Sequence, residues 1–270
     1  MKITEKLLLN TVKLTINIGN NQESIGTGFI FMFQKDDKVA PVVVTNKHVI
    51  ENGITGEFFL KRQDETDNPA YGQGIRVEID NLQTKWITHP DPDVDLAVLP
   101  IFPIINDLRS KGEKPFFAPI TEDMIPTSQD EASFFPPEQI VMIGYPEGLY
   151  DPVHNIPLFR AGILSTPLKV DFGGKKEFII DAACYPGSSG SPVFVINEGT
   201  YPIENGLAFG TRIFFIGVQR ATFLHTVSGK VIVVPIPTHY EQFAVSTVPN
   251  NLGIVIKSSR ILDFKSLFLN

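Results

Sequence analysis

Eight short runs of β-branched and aromatic residues limit this chain to an all-β fold. They lie at 29–33, 42–44, 96–99, 140–143, 178–180, 193–196, 213–216 and 231–234, and Gly, Pro, Asn and Asp punctuate them. Runs this short and this closely spaced predict the strands of a barrel or sandwich. Helical periodicity is almost absent. The exception closes the chain, where Ser258 or Ser259 stands as a cap before Ile261, Leu262, Lys265 and Phe268 at helical spacing. No internal repeat is visible.

The chain has 270 residues, room for one large domain or two halves of ordinary size. At 43% hydrophobic and 20% charged residues, it can build a packed core. A net charge of −7 without a basic cluster argues against nucleic acid or an anionic membrane as partner. No apolar run approaches the ~20 residues of a membrane span. The apolar part of residues 1–9 is too short for a signal peptide. The single cysteine, Cys184, cannot form an internal disulfide, which points to a reducing, cytoplasmic compartment. Residues 103–137 read as a connection between halves. A connection that long is expected to be partly ordered, with the Phe116-Phe117 and Phe134-Phe135 pairs packed on a barrel. The polar stretch 61–74 reads as an exposed loop.

Three places carry chemistry. Gly187-Ser188-Ser189-Gly190-Ser191-Pro192 is a tight turn with hydroxyls at its tip. Its glycines allow backbone N–H groups to point the same way as a serine Oγ, as a serine nucleophile requires. His48 follows the apolar run 41–44, and so stands at the end of a strand on a barrel rim. Asp95 directly precedes the apolar run 96–99. A half-buried carboxylate there needs a donor, and a histidine Nδ1–H is a good one. Asp93 is the fallback on the same face, whereas Asp91 suits a solvated turn. The order is His48, Asp95, Ser189, with the first two in one half and the serine in the other. That places the site in the cleft between halves. The Gly-x-Ser-x-Gly elbow is excluded, because residue 191 is Ser. His89 reads as structural. His154, His225 and His239 share no ligand spacing with Cys or acids, so no metal site is expected. No phosphate-cradling loop appears, and no cofactor is called for. Cys184 reads as a pocket-wall residue, not a nucleophile.

Four separated stretches carry a resemblance: Gly26-Thr27-Gly28-Phe29-Ile30, the histidine stretch 44–50, the aspartate stretch 95–99 and the serine stretch 181–192. Weaker echoes lie at 143–146, 161–165 and 252–256. Together they resemble the chymotrypsin-fold (trypsin-like) serine peptidases, above all their disulfide-free bacterial branch, the Deg or high-temperature-requirement type. The resemblance implies two antiparallel six-stranded β-barrels with a short C-terminal helix. Residues 1–110 would form the first barrel, 111–138 the linker, and 139–270 the second barrel plus the helix. It further implies a Ser189–His48–Asp95 triad, with the N–H groups of Gly187 and Ser189 as the oxyanion hole. The specificity pocket would be lined by Ala183, Cys184 and Tyr185. Its far wall would come from Ile216, Gly217 and Val218, in a segment running on to Arg220 whose strand edge pairs with substrate backbone. An uncharged pocket implies cleavage after small or medium apolar residues. Ser188 stands where digestive members carry an Asp, so activation by an inserted N-terminus is not expected. The chain also ends about where Deg proteases begin a PDZ domain. The implied function is a serine endopeptidase acting on a protein or peptide, dedicated to one intracellular substrate in a narrower version. That leaves room for a regulatory protein partner and leaves the oligomeric state open. The alternative is a catalytically silent peptidase-fold module that binds a peptide or protein.

Overall fold

A computed structural model describes residues 2–203, 206–231 and 242–269. The N-terminal half contains β1 (Thr11–Gly19), β2 (Gln22–Lys35), β3 (Lys38–Thr45), β4 (Thr55–Gln63), β5 (Pro69–Asp80), β6 (Ile87–Thr88), β7 (Ala97–Pro100), β8 (Pro115–Phe116) and β9 (Ile120–Thr121). Six of these have four or more residues, and three have only two. They form one sheet in the order β5-β4-β1-β2-β3-β7-β6, with β8 on β4 and β9 on β2. All pairs are antiparallel except β2–β9. The C-terminal half contains β10 (Gln139–Gly144), β11 (Leu158–Leu164), β12 (Glu177–Asp181), β13 (Pro192–Ile203), β14 (Gly206–Val231) and β15 (Gln242–Lys257). These close into a barrel, β10-β11-β12-β15-β14-β13. The fold is thus all-β, with a short helix near its C-terminus.

Alternation shapes β1, whereas residues 26–31 of β2 and 41–45 of β3 are continuous runs buried on both faces. In β1, Val12, Leu14 and Ile16 face inward, and each is at most 3% exposed. They join a core enclosed by the first sheet, with Phe58, Leu60 and Trp86. A second core fills the C-terminal barrel. A third lies between the two sheets, where Phe29 and Phe31 of β2 meet Phe194 of β13 and Phe215 of β14. The rings of Phe29 and Phe215 meet edge to face at 5.3 Å.

Several expectations are corrected. Short helices do form: α1 (Ile3–Asn10), α2 (Lys47–Ile50), α3 (Leu82–Lys85), α4 (Phe102–Ser110), α5 (Ser128–Ser133) and α6 (Lys265–Phe268). In α4, a proline in the first turn and buried Ile105 and Leu108 three residues apart suffice. The chain end is a 3-10 turn at Ser258–Phe264 running into α6. Its cap residue is Lys257, and no side chain caps it, so neither serine plays that part. The stretch 61–74 is mostly hairpin: β4 and β5 pair through it, and only 64–68 form the turn. Lys61 is 3% exposed. The connecting segment is ordered. Its β8 and β9 extend the first sheet, Phe117 packs on the first core, and Phe134 lies fully buried in the second. Phe135 instead stays 55% exposed. The expected strand at 231–234 ends β14 at Val231, and its remainder falls outside the described residues.

Candidate active site

His48 does not end a strand. β3 stops at Thr45, and the chain turns through extended Asn46 into the single helical turn α2, which carries His48. Asp95 holds this turn. Its Oδ1 accepts the His48 backbone N–H at 3.0 Å, and its Oδ2 accepts the ring Nδ1–H at 2.6 Å. Asn46 Nδ2 donates to the Asp95 carbonyl at 2.8 Å. A carboxylate that takes both groups fixes the imidazole's orientation. It also places the proton on Nδ1, so Nε2 offers its lone pair to the cleft. The His48 and Asp95 side chains are 43% and 19% exposed. Asp93 takes no part: it is exposed, and its N–H donates to Asp91 Oδ1.

The serine turn lies between β12 and β13 but is held from the opposite half. The Thr27 N–H of β2 donates to the Ser189 carbonyl at 2.8 Å, and the Thr27 hydroxyl donates to the Gly187 carbonyl at 2.9 Å. The same hydroxyl accepts the Tyr145 N–H, while the Thr27 carbonyl accepts the Thr45 hydroxyl at 2.7 Å. Thr45 is the last residue of β3, and Asn46 alone separates it from the turn that carries His48. The serine and histidine segments are therefore braced on one residue. Gly187 and Gly190 both sit at φ 86°, which a side chain resists. A Cβ on Gly190 would strike the Thr27 carbonyl and the Thr45 hydroxyl. The Glu147 N–H donates to the Pro186 carbonyl at 2.6 Å, and the Gly190 N–H to the Gln219 carbonyl at 2.8 Å. Among the described residues, the N–H groups of Gly187 and Ser189 have no protein acceptor. The serine turn thus carries two N–H donors without a protein acceptor, one of them on Ser189 itself. No hydrogen bond among the described residues joins Ser189 Oγ to His48 Nε2.

The remaining expected residues are placed unequally. Ala183 is half-buried, and Tyr185 is 39% exposed. Cys184 is 1% exposed, inside the C-terminal core. Burial pushes its thiol up to about 11, which leaves it protonated near neutral pH. The residues expected at the far wall lie within the C-terminal barrel. Ile216 and Val218 are 1% and 0% exposed, within cores. Gly217 and Val218 are paired with β13 on one side and β15 on the other. An interior strand has no free edge for a substrate backbone at these positions.

His89 is buried and bonded within the fold. Asp91 N–H donates to its Nδ1 at 3.0 Å, so its Nε2–H donates to the Arg260 carbonyl and Asp263 Oδ2. His154 pairs with Asp151 at 2.7 Å, and His239 lies outside the described residues. Among the described residues, no three metal-ligating side chains cluster, and no helix is long and apolar enough to cross a membrane. Two positions went unread in the sequence. Thr27 lies inside the Gly26–Ile30 stretch, but nothing local marks its hydroxyl as a brace. Arg160, on β11, lies over the Tyr185 ring, and no motif announced it.

No curated protein sequence matches the chain. Among solved structures, the HtrA-type protease AlgW, determined with a tripeptide, is similar in fold at a TM-score of 0.51 and 17% identity; the match covers 97% of this chain. The chain spans 61% of the length of the AlgW chain. The active form of the Rv3671c protease from M. tuberculosis matches at a TM-score of 0.46 and 14% identity, over 98% of this chain and 83% of that one. Deg5 matches at 0.45 and 22% identity, over 81% and 82%. Residues 26–200, a segment that includes His48, Asp95 and Ser189, match the trypsin-like peptidase domain. The chain therefore belongs to the trypsin-like peptidase domain family, a family of serine protease hydrolases.

Proposed function

We propose that this chain is a serine endopeptidase using Ser189, His48 and Asp95. The observation that carries the reading is an Asp95-oriented imidazole beside a serine turn with two unpaired N–H donors, the serine turn and the strand leading to His48 both bonded to Thr27. Ser189 Oγ attacks the scissile carbonyl while His48 Nε2 takes its proton. Asp95, holding Nδ1–H, keeps the tautomer and stabilises the imidazolium. The N–H groups of Gly187 and Ser189 receive the oxyanion. His48 returns the proton to the leaving amine. Water then hydrolyses the acyl-enzyme by the same steps in reverse order. Ala183 brings no charge to the approach, which suits a small or medium apolar residue before the cut bond. The single free, buried cysteine suits a reducing, cytoplasmic compartment.

Ser189→Ala tests the reading. It should lower kcat by about 10⁵–10⁶-fold on fluorogenic peptides and abolish covalent labelling by a fluorophosphonate. Cleavage by this variant at the parental rate would overturn the assignment. A parental chain that binds peptide but never labels would instead identify a silent binding module.

A further inference from the structure

The serine turn is gripped at several points, and one grip is unusual. Ser188, 2% exposed, closes the start of the turn: its N–H donates to the Tyr185 carbonyl, and its Oγ accepts the Tyr185 N–H at 3.3 Å. The same Oγ accepts Arg160 Nη1 at 3.4 Å. The guanidinium lies 5.0 Å from the centroid of the Tyr185 ring. Arg62, Arg76, Arg212, Arg220 and Arg260 each pair with a carboxylate. Among the described residues, half-buried Arg160 pairs with none. A partly desolvated cation without a counterion is retained only where other contacts compensate it, and here those contacts are an aromatic face and a buried hydroxyl. Both belong to the turn that presents the two free N–H groups.

The grip is also rigidly mounted. Arg160 pairs with Met142 across β10 and β11. β10 leads directly into the segment whose Glu147 N–H holds the Pro186 carbonyl. One strand pair therefore fixes the turn at Pro186 from one side and at Tyr185–Ser188 from the other. Between these points lies Gly187, whose φ of 86° must be held from outside, because glycine itself favours no particular dihedral.

We infer that Arg160 is a positioning residue for the oxyanion-binding turn, with its guanidinium laid across Tyr185 and Ser188 to hold the Gly187 and Ser189 N–H groups outward. The inference rests on the serine-peptidase reading above. The contact acts first on the turn that stabilises the tetrahedral oxyanion, and through Tyr185 it also borders the pocket expected for the substrate's side chain. Lysine cannot replace it fully, since a compact ammonium does not offer a planar group that sits over the Tyr185 ring while one of its N–H groups reaches the Ser188 hydroxyl.

The test compares the parental chain with Arg160→Met, which keeps an apolar stem, and Arg160→Lys. Losing one oxyanion donor costs roughly 10²–10³-fold in kcat, so displacing the turn in Arg160→Met should cost about 10–100-fold. Affinity for a tripeptide aldehyde ending in valine, whose adduct carries the oxyanion, should fall by the same factor. KM should rise by much less than kcat falls, and the melting temperature should stay unchanged, because the larger loss is in transition-state binding. Arg160→Lys should recover part of the loss. Unchanged kcat and aldehyde affinity in Arg160→Met would overturn the inference. So would a loss of KM and melting temperature in step with kcat, the mark of a merely structural residue. Parental protein that neither cleaves peptide nor labels with fluorophosphonate would overturn the peptidase reading itself, and this inference with it.

Discussion

Thr27 has every polar atom engaged, and its N–H and hydroxyl join the two halves. Its N–H and hydroxyl hold the serine turn, its hydroxyl also receives Tyr145, and its carbonyl receives Thr45. It is fully buried, so none of these groups can turn to water instead. Thr27→Val keeps the shape and removes the hydroxyl, stranding the Gly187 carbonyl and the Tyr145 N–H. A buried polar group left unpaired costs about 1–3 kcal/mol, so a loss of about 2–4 kcal/mol is expected in urea unfolding. A loss below about 0.5 kcal/mol would show that water or a shifted backbone satisfies both groups. The residue type was legible, since Gly26-Thr27-Gly28 lies within the resemblance. The role was not, because Thr27 and Gly187 are 160 residues apart.

At the scale of elements, the serine turn was the most readable piece. Gly187 and Gly190 signalled left-handed dihedrals, and both have them. Gly190→Ala should expose how tightly the turn docks. A side chain at this φ costs about 1–2 kcal/mol, and its Cβ would also push Ser189 away from Thr27 and Thr45. A shift of about 1 Å at a reacting group costs roughly 10²-fold in rate, so kcat/KM should fall by about that factor. Gly173→Ala, also at positive φ but with nothing within 4 Å of its Cβ, should leave the rate intact. Equal effects of the two substitutions would mean that the close approach does not matter. The His48 segment was less readable. Val49 and Ile50 continue the apolar pattern of β3, yet both N–H groups of His48 turn to Asp95, and the strand breaks into one helical turn. Strand pairing was equally illegible: an apolar run at 213–218 looks the same whether its edges are free or paired, and here both edges are paired at Gly217 and Val218.

Across the whole molecule, the aromatic core between the sheets makes the two halves interdependent. Phe215 of the barrel touches Phe29 and Phe31 of the first sheet and Phe194 of its own, and is fully buried. Phe215→Ala should cost about 3–5 kcal/mol. Because the shared core couples both sheets, loss of Trp86 fluorescence in the first and exposure of the Cys184 thiol in the second should follow one denaturant curve. In Phe215→Ala both midpoints should move together. A thiol that reacts while Trp86 stays native would show instead that the barrel unfolds alone.

By itself, the sequence determined what depends on near neighbours. Strand content followed from β-branched and aromatic runs, turn dihedrals from Gly187 and Gly190, and the available chemistry from His48, Asp95 and Ser189. These are properties of a few consecutive residues. The tertiary structure alone decided which distant groups meet: the Thr27 hydroxyl on the serine turn, the Arg160 guanidinium on Tyr185, and the burial of Ile216 and Val218 inside the wall. Those contacts depend on closing loops of many tens of residues. Only the summed burial of two sheets and the core between them stabilises such closures, and no local pattern records it.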